Sequence, residues 1–133
     1  MDKKYELVWR NPQKTVLMIN YLAPVTWSDV TEAGADAMEA IKDLPQDVIL
    51  FHNGGTHTVN LTKITSIHDL LYNNLSNPPR NLKFVIVYLE NIKILKELDA
   101  AMEILDKLFF KRKIFHVASS MAEAERLIVR AGF

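Results

Sequence analysis

The order of apolar and polar residues alternates between strand-like and helix-like segments along the chain. The segment from Tyr5 to Arg10 alternates in the way of a half-buried strand, with Leu7 and Trp9 on the same face as Tyr5. The turn signal Asn11-Pro12-Gln13 follows, and β-branched and aliphatic residues then fill Thr15 to Leu22. This pattern predicts an antiparallel hairpin at the start of the fold.

Three further apolar runs are short and continuous, which is typical of strands buried on both faces of a parallel sheet. The run before His52 reads Val-Ile-Leu-Phe, and the run before Leu89 is rich in Val and Ile. We expect Asn53-Gly54-Gly55 to end the first of these strands. The predicted strands extend from Asp47 to His52, from Leu82 to Leu89 and from Lys113 to Ala118.

Four segments instead repeat apolar residues at three- and four-residue spacing, which predicts amphipathic helices. Thr26 with Asp29, and Ser120 with Glu123, have the spacing of capping boxes at helix N-termini. The predicted helices run from Thr26 to Leu44, from Ser66 to the stop at Asn77-Pro78-Pro79, from Ile92 to Phe110, and from Ser120 into the C-terminal residues.

The order of elements is therefore ββαβαβαβα over a single domain, residues 1–133. A parallel strand–helix–strand unit is right-handed, because that connection packs its helix back onto the sheet. The order predicts an α/β fold with a mostly parallel five-stranded sheet flanked by four helices. Only the first strand should run against the others.

The composition is that of an ordinary globular protein, and it excludes several classes. Sixteen Lys plus Arg balance sixteen Asp plus Glu, so the formal net charge is zero; we expect no nucleic-acid or anionic-membrane partner. Without cysteine, the chain has no disulfide and no cysteine-based metal site. No apolar signal region or membrane-spanning stretch is evident, so we expect a cytoplasmic protein without a transmembrane segment.

The C-terminal segment carries the clearest resemblance to a known family. It reads Lys113-Ile-Phe-His-Val-Ala-Ser-Ser-Met-Ala-Glu-Ala-Glu-Arg-Leu-Ile128, a strand, a short loop and a capped helix with a Glu-Ala pair. With the order of elements over essentially the whole chain, this segment resembles the STAS domain (sulphate transporter and anti-sigma factor antagonist) in its SpoIIAA-like branch. The resemblance implies a non-enzymatic regulatory module that binds a protein partner, with the first strand of the hairpin at an edge of the sheet.

The resemblance also draws attention to Ser66, at the start of the second predicted helix. Anti-sigma antagonists of the family carry an Asp-Ser-Ser-Gly motif there, and a partner kinase phosphorylates one serine. The matching segment reads Ile64-Thr65-Ser66-Ile67-His68-Asp69; Thr65 stands near the acidic position and no glycine follows. The resemblance implies that Ser66 is the phosphoacceptor, whereas a plain capping box with Asp69 explains the same residues without a partner.

The glycine pair follows a predicted parallel strand at its carboxyl end, which is the edge where α/β proteins bind ligands. No helix begins directly after the pair, as a phosphate-binding loop requires, so a flexible loop is the simpler interpretation. In the STAS-like interpretation the pair belongs to a partner surface around the second predicted helix. That surface comprises Gly54, Gly55, Thr65, Ser66, His68 and Asp69.

Histidines provide weak candidates for a metal site. His52, His57 and His68 could approach the carboxyl end of one strand, but their spacing matches no known pattern of zinc ligands. Unrelated histidines are the simpler interpretation, and we predict no metal and no other cofactor. We expect His116, inside the last strand, to be a core or half-buried residue with its hydrogen bonds satisfied.

The third predicted helix carries more apolar residues than one contact with a sheet needs. An oversized apolar surface is typical of a contact with a partner or with a second copy of the chain. A helix buried deeply between the sheet and a neighbouring helix would show the same pattern, and both interpretations stay open. The candidate homodimer face comprises Ile94, Ala101, Ile104, Leu108 and Phe110.

Two hypotheses about function follow. The first is a non-enzymatic STAS-like interaction module that acts through the surface around the second predicted helix. The alternative is a small-ligand-binding or catalytic flavodoxin-like α/β domain that uses the carboxyl edge of the sheet. A pocket with convergent polar groups and perturbed ionisable groups would favour the alternative; a flat surface with an apolar rim would favour the first.

Overall fold

The computed structural model describes residues 4–55, 57, 79–107 and 113–133. These residues form an α/β fold with a five-stranded mixed sheet and three helices. The second predicted helix, which begins at Ser66, lies outside the described residues. The elements are β1 (Tyr5–Trp9), β2 (Val16–Tyr21), α1 (Trp27–Ile41), β3 (Val48–Gly55), β4 (Leu82–Leu89), α2 (Ile92–Leu105), β5 (Phe115–Ala118) and α3 (Met121–Arg130).

The five strands lie side by side in chain order, with β1 at one edge. β1 pairs antiparallel with β2, and Tyr5 lies opposite Tyr21. The three remaining pairings, β2 with β3, β3 with β4 and β4 with β5, are parallel. The carboxyl ends of β2 to β5 therefore share one side of the sheet, which we call the carboxyl edge; the strands end there at Tyr21, Gly55, Leu89 and Ala118.

Helices cover both faces of the sheet. Alternate residues of each strand point to opposite faces, so neighbouring residues of one strand pack in different clusters. Leu50 and Val85 pack in one cluster with residues of α1 and α2. Phe51 and Ile86, their strand neighbours, pack in a second cluster with residues of α3. In β3 and β4, side chains that point to either face of the sheet are buried. This explains why the sequences of these two strands are continuous apolar runs.

Local signals fix the starts of two helices. Thr26 caps α1: its hydroxyl accepts from the Asp29 N–H, and the Asp29 carboxylate accepts from the Thr26 N–H, which is the predicted capping box. Ser120 caps α3 by accepting from the Glu123 N–H. The Glu123 carboxylate accepts from the N–H and hydroxyl of Ser119 instead of completing the box on Ser120. A longer Glu side chain reaches one residue further back than the Asp in α1.

The predicted third strand ends at His52, before Asn53-Gly54-Gly55, and this end is wrong by three residues. β3 continues to Gly55, because β2 and β4 flank it on both sides; Asn53 pairs with Asn20 and Gly55 with Leu89. The pairing of β3 with β4 shifts its register between Asn53 and Gly55, where the backbone is irregular. Gly55 has φ +49°, and an added Cβ would lie 3.7 Å from the Tyr88 ring. Glycine is thus favoured there by the left-handed backbone and not by lack of space.

Two buried polar side chains hold the ends of helices to the sheet. The Asn81 amide donates to the backbone carbonyls of Ile41 at 2.8 Å, Leu44 at 3.1 Å and Gln46 at 3.1 Å. The Asp106 carboxylate, just after α2, accepts from the N–H of Ile114 and of Phe115 at the start of β5. Each side chain satisfies buried backbone groups that the turn itself leaves without a partner.

None of the helices in the described ranges has the length and apolar character needed to cross a membrane.

Candidate functional site

The predicted partner surface is described only at its glycines. Gly54 is buried, and Gly55 is the last residue of β3 at the carboxyl edge. Thr65, Ser66, His68 and Asp69 lie outside the described residues, so the phosphoacceptor and capping-box interpretations of Ser66 both stay predictions. What surrounds the glycine pair on the neighbouring strands is described.

Apolar side chains lie exposed where three of the parallel strands end. Leu22, directly after β2, is 49% exposed, and Ile92, the first residue of α2 after β4, is 61% exposed. Met121 holds the same position after β5, at the start of α3, and is also exposed. β3 and its glycine pair lie between β2 and β4, so Leu22 and Ile92 follow the strands on either side of the predicted surface. We call Leu22, Ile92 and Met121 the edge residues.

Beneath the carboxyl edge, β2 and β3 bring together a buried tyrosine and a buried histidine. The Tyr21 hydroxyl lies 2.8 Å from His52 Nδ1, and the two rings are nearly parallel. Burial lowers the pKa of His52 to about 4, so the imidazole is neutral at neutral pH. Burial is also the main reason that the pKa of Tyr21 is raised, with smaller contributions from Tyr5 and Asp29.

The direction of this hydrogen bond depends on which ring nitrogen of the neutral His52 carries the proton. With the proton on Nε2, the Tyr21 hydroxyl donates to Nδ1; with the proton on Nδ1, Nδ1 donates to the Tyr21 oxygen. Among the described residues, the hydrogen bonds of His52 engage Nδ1 alone.

Tyr5, on the edge strand β1, lies next to Tyr21, and we call Tyr5, Tyr21 and His52 the polar row. The Tyr5 ring meets the Tyr21 ring edge-on, with the ring centres 6.5 Å apart. Its hydroxyl donates to the Asp36 carboxylate on α1. Burial and then the Asp36 hydrogen bond and charge raise the pKa of Tyr5. The row ties the hairpin to α1 and orders the residues around His52.

A cavity adjoins His52 on the face covered by α1 and α2. Its volume is about 60 Å³, and its lining is mostly apolar. The walls include Trp27 and Met38 from α1, Leu98 and Met102 from α2, and Val87 from β4. His52 is the imidazole in this wall, and we call the space the His52 cavity.

The candidate metal ligands do not converge in the described part of the chain. His52 is buried against Tyr21, whereas the described contact of His57 is its backbone carbonyl, which accepts from the Val25 N–H. His68 lies outside the described residues. No group of three or more potential metal-ligating side chains occurs among the residues that the structure describes.

His116 is half-buried, as expected, but its hydrogen bonds are not all satisfied. Its ring meets Phe84 edge-on with the ring centres 4.9 Å apart, and its Nε2 is buried without a hydrogen-bond partner in the described structure. Burial, with a contribution from the Lys113 charge, lowers the pKa of His116, although Asp106 and Asp99 oppose the shift. The sequence could not show this, because the ring packs against Phe84 of the neighbouring strand β4, about 30 positions away in the chain.

The candidate homodimer face divides between core and surface. Ile94 and Ala101 are buried in the cluster that α2 forms with the sheet, which is the deep packing that the sequence left open. Ile104 is exposed, and Leu108 and Phe110 lie outside the described residues. In the described part of α2, Ile104 is thus the member of the candidate face that a second copy could contact.

Comparison with protein-family models, with curated proteins and with solved structures finds no match to this chain.

Proposed function

We propose that this chain is a non-enzymatic STAS-like module that binds a protein partner at the carboxyl edge of its sheet. The observation that carries the proposal is the position of the edge residues. Leu22, Ile92 and Met121 remain exposed at the ends of β2, β4 and β5, beside the glycine pair of β3. Large exposed apolar side chains grouped at one edge are typical of a surface that docks an apolar patch of another protein.

The arrangement of the sheet supports the STAS-like part of the proposal. The resemblance implies that the first strand lies at an edge, and β1 is an edge strand that runs antiparallel to β2. In the proposed complete fold, a fourth helix begins at Ser66 and four helices flank a mostly parallel sheet. Ser66 is then, as the resemblance implies, a candidate phosphoacceptor of the partner surface, and an added phosphate would change the charge that the partner meets.

The edge residues can be tested against matched residues of the same chain. Val8 on β1 and Val129 near the end of α3 are also exposed apolar side chains, and Val129 is 70% exposed. Neither follows the carboxyl end of a parallel strand. A double variant at Leu22 and Ile92 and a double variant at Val8 and Val129 therefore remove similar apolar surface from two different places.

We expect the variant Leu22→Glu with Ile92→Glu to lose its partner, because a charged side chain disfavours burial in an apolar interface. The measurement is quantitative mass spectrometry of proteins captured from extracts of the source organism by the wild-type chain and by both variants. Proteins retained by the wild type should fall at least tenfold with the edge variant and stay within about twofold with Val8→Glu and Val129→Glu.

Thermal unfolding of each variant serves as the control for folding. Ile92 is the first residue of α2, where a negative charge is favourable to the helix dipole, so the edge variant should stay folded. Equal retention of the same proteins by the edge variant and the control variant would contradict a docking surface at the carboxyl edge.

A further inference from the structure

The His52 cavity has mostly apolar walls with an imidazole ring among them. A simple packing defect would not require that ring. His52 is buried, and its ring has two nitrogens. Tyr21 engages Nδ1 at 2.8 Å, so Nε2 is the ring nitrogen that keeps hydrogen-bonding capacity for another group. Nε2 donates or accepts according to the tautomer, and a hydroxyl group can pair with it in either case.

We propose that the His52 cavity binds one small uncharged molecule, whose apolar body lies against the walls and whose hydroxyl group forms a hydrogen bond with Nε2 of His52. A neutral molecule is favoured because the wall residues within the described part of the chain carry no charge that would compensate an ion. The site is separate from the edge residues, so this proposal stands or fails independently of partner docking.

The size of the cavity limits the occupant. A cavity of roughly 150 Å³ holds benzene or xenon when its walls are apolar, and the His52 cavity has about 60 Å³. The occupant is therefore a short alcohol, or an alcohol group of that size at the end of a longer molecule. Met38 and Met102 in the walls have flexible side chains that adapt to the shape of such a group.

Two probes separate the apolar and polar parts of the site. Isopropanol has a small apolar body and one hydroxyl, whereas xenon has no hydrogen-bonding group. Methyl NMR spectra of the whole chain are recorded during titration with each probe, and the methyl groups of Val87, Leu98 and Met102 report on the cavity. The methyl groups of Ile49 and Ile86, buried on the opposite face of the sheet, are the internal control.

We expect saturable shifts at the cavity methyl groups with both probes, and none at the control methyl groups. The dissociation constant for isopropanol should be on the order of 10 mM, since a molecule with so few atoms gains little binding free energy. His52→Phe should weaken isopropanol about fivefold, the loss of one hydrogen bond, while xenon still binds. Val87→Ile adds a methyl group at the wall and should weaken both probes, which keeps the proposal testable where His52→Phe does not fold.

Three outcomes would overturn the proposal. Absence of saturable shifts with both probes would mean that the cavity is filled or closed in solution. Equal shifts at the cavity and control methyl groups would mean nonspecific partition into the core. Isopropanol affinity unchanged by His52→Phe, with the variant folded, would remove His52 from the site.

Discussion

Replacing Asn81 with aspartate is expected to destabilise the fold strongly, although the two side chains have nearly the same shape. The Asn81 amide nitrogen donates to three backbone carbonyls, at the end of α1 and in the turn that leads to β3. Aspartate has no hydrogen to donate when ionised, so its negative oxygen would face the same three carbonyl oxygens. We expect a loss of about 4 kcal/mol in the free energy of unfolding, and about 3 kcal/mol for Asn81→Ala.

Asn91→Asp is the matched control. Asn91 caps α2 by accepting from the Ile94 N–H through its side-chain oxygen, a role that aspartate fills equally well. We expect Asn91→Asp to cost much less stability than Asn81→Asp, because the oxygen that caps α2 is kept. Urea unfolding of the wild type and the three variants measures these differences. Similar losses for Asn81→Asp and Asn91→Asp would contradict the account of Asn81 as a donor to α1.

The second large effect is a loss of stability as the pH falls from 6.5 toward 4. Burial lowers the pKa of His52 from 6.5 to about 4 in the folded protein, while the unfolded chain keeps the ordinary value. Between these pH values the unfolded state therefore binds more protons, so stability rises with pH in this window and falls as the pH is lowered. The full shift corresponds to about 3 kcal/mol.

The measurement is the free energy of unfolding by urea at a series of pH values, for the wild type and His52→Phe. We expect the difference in the free energy of unfolding between the wild type and His52→Phe to change with pH between pH 4 and 6.5. His116, whose pKa is also lowered, contributes in the same direction to both proteins and cancels in the difference. Asp29, whose pKa is lowered from 3.8 because hydrogen bonds from Thr26 and Lys4 outweigh its burial, acts at lower pH. Parallel curves across the window would contradict a buried, neutral His52.

Local patterns predicted much of the fold. The alternation of Tyr5, Leu7 and Trp9 set the inward face of β1, and Thr26 with Asp29 set the start of α1. These predictions are confirmed because each depends on residues close together in the chain. The end of β3 was wrong for the opposite reason: hydrogen bonds from both neighbouring strands override the turn preference of Asn53-Gly54-Gly55.

The polar row beneath the carboxyl edge could not be predicted in the same way. Val48, Leu50 and His52 are alternate residues of β3 and point to the face covered by α1 and α2. The alternation of the strand could therefore have indicated that His52 is buried. Its bond to Tyr21 joins residues 31 positions apart and depends on the parallel register that sets Ile19 opposite His52. No local signal fixes that register, and the sequence therefore missed Tyr21, Tyr5 and Asp36 as partners.

A broad apolar face on a helix also has two explanations that the sequence alone does not separate: deep packing on the sheet, or contact with a partner or a second copy of the chain. Ile94 and Ala101 are buried in the core, while Ile104 on the same helix is exposed. The depth at which α2 packs on the sheet decides which residues remain at the surface. Depth is a property of the whole assembly of elements, whereas periodicity describes one helix.

Site-specific photocrosslinking in cells of the source organism tests the central claim most directly. A photoreactive amino acid is placed at position 22 in one variant and, as the control, at position 129 in another; both native residues are exposed and apolar. Docking at the carboxyl edge predicts that the same partner protein is crosslinked from position 22 and not from position 129. Crosslinking of that partner from position 129 alone, or equally from both positions, would contradict the account.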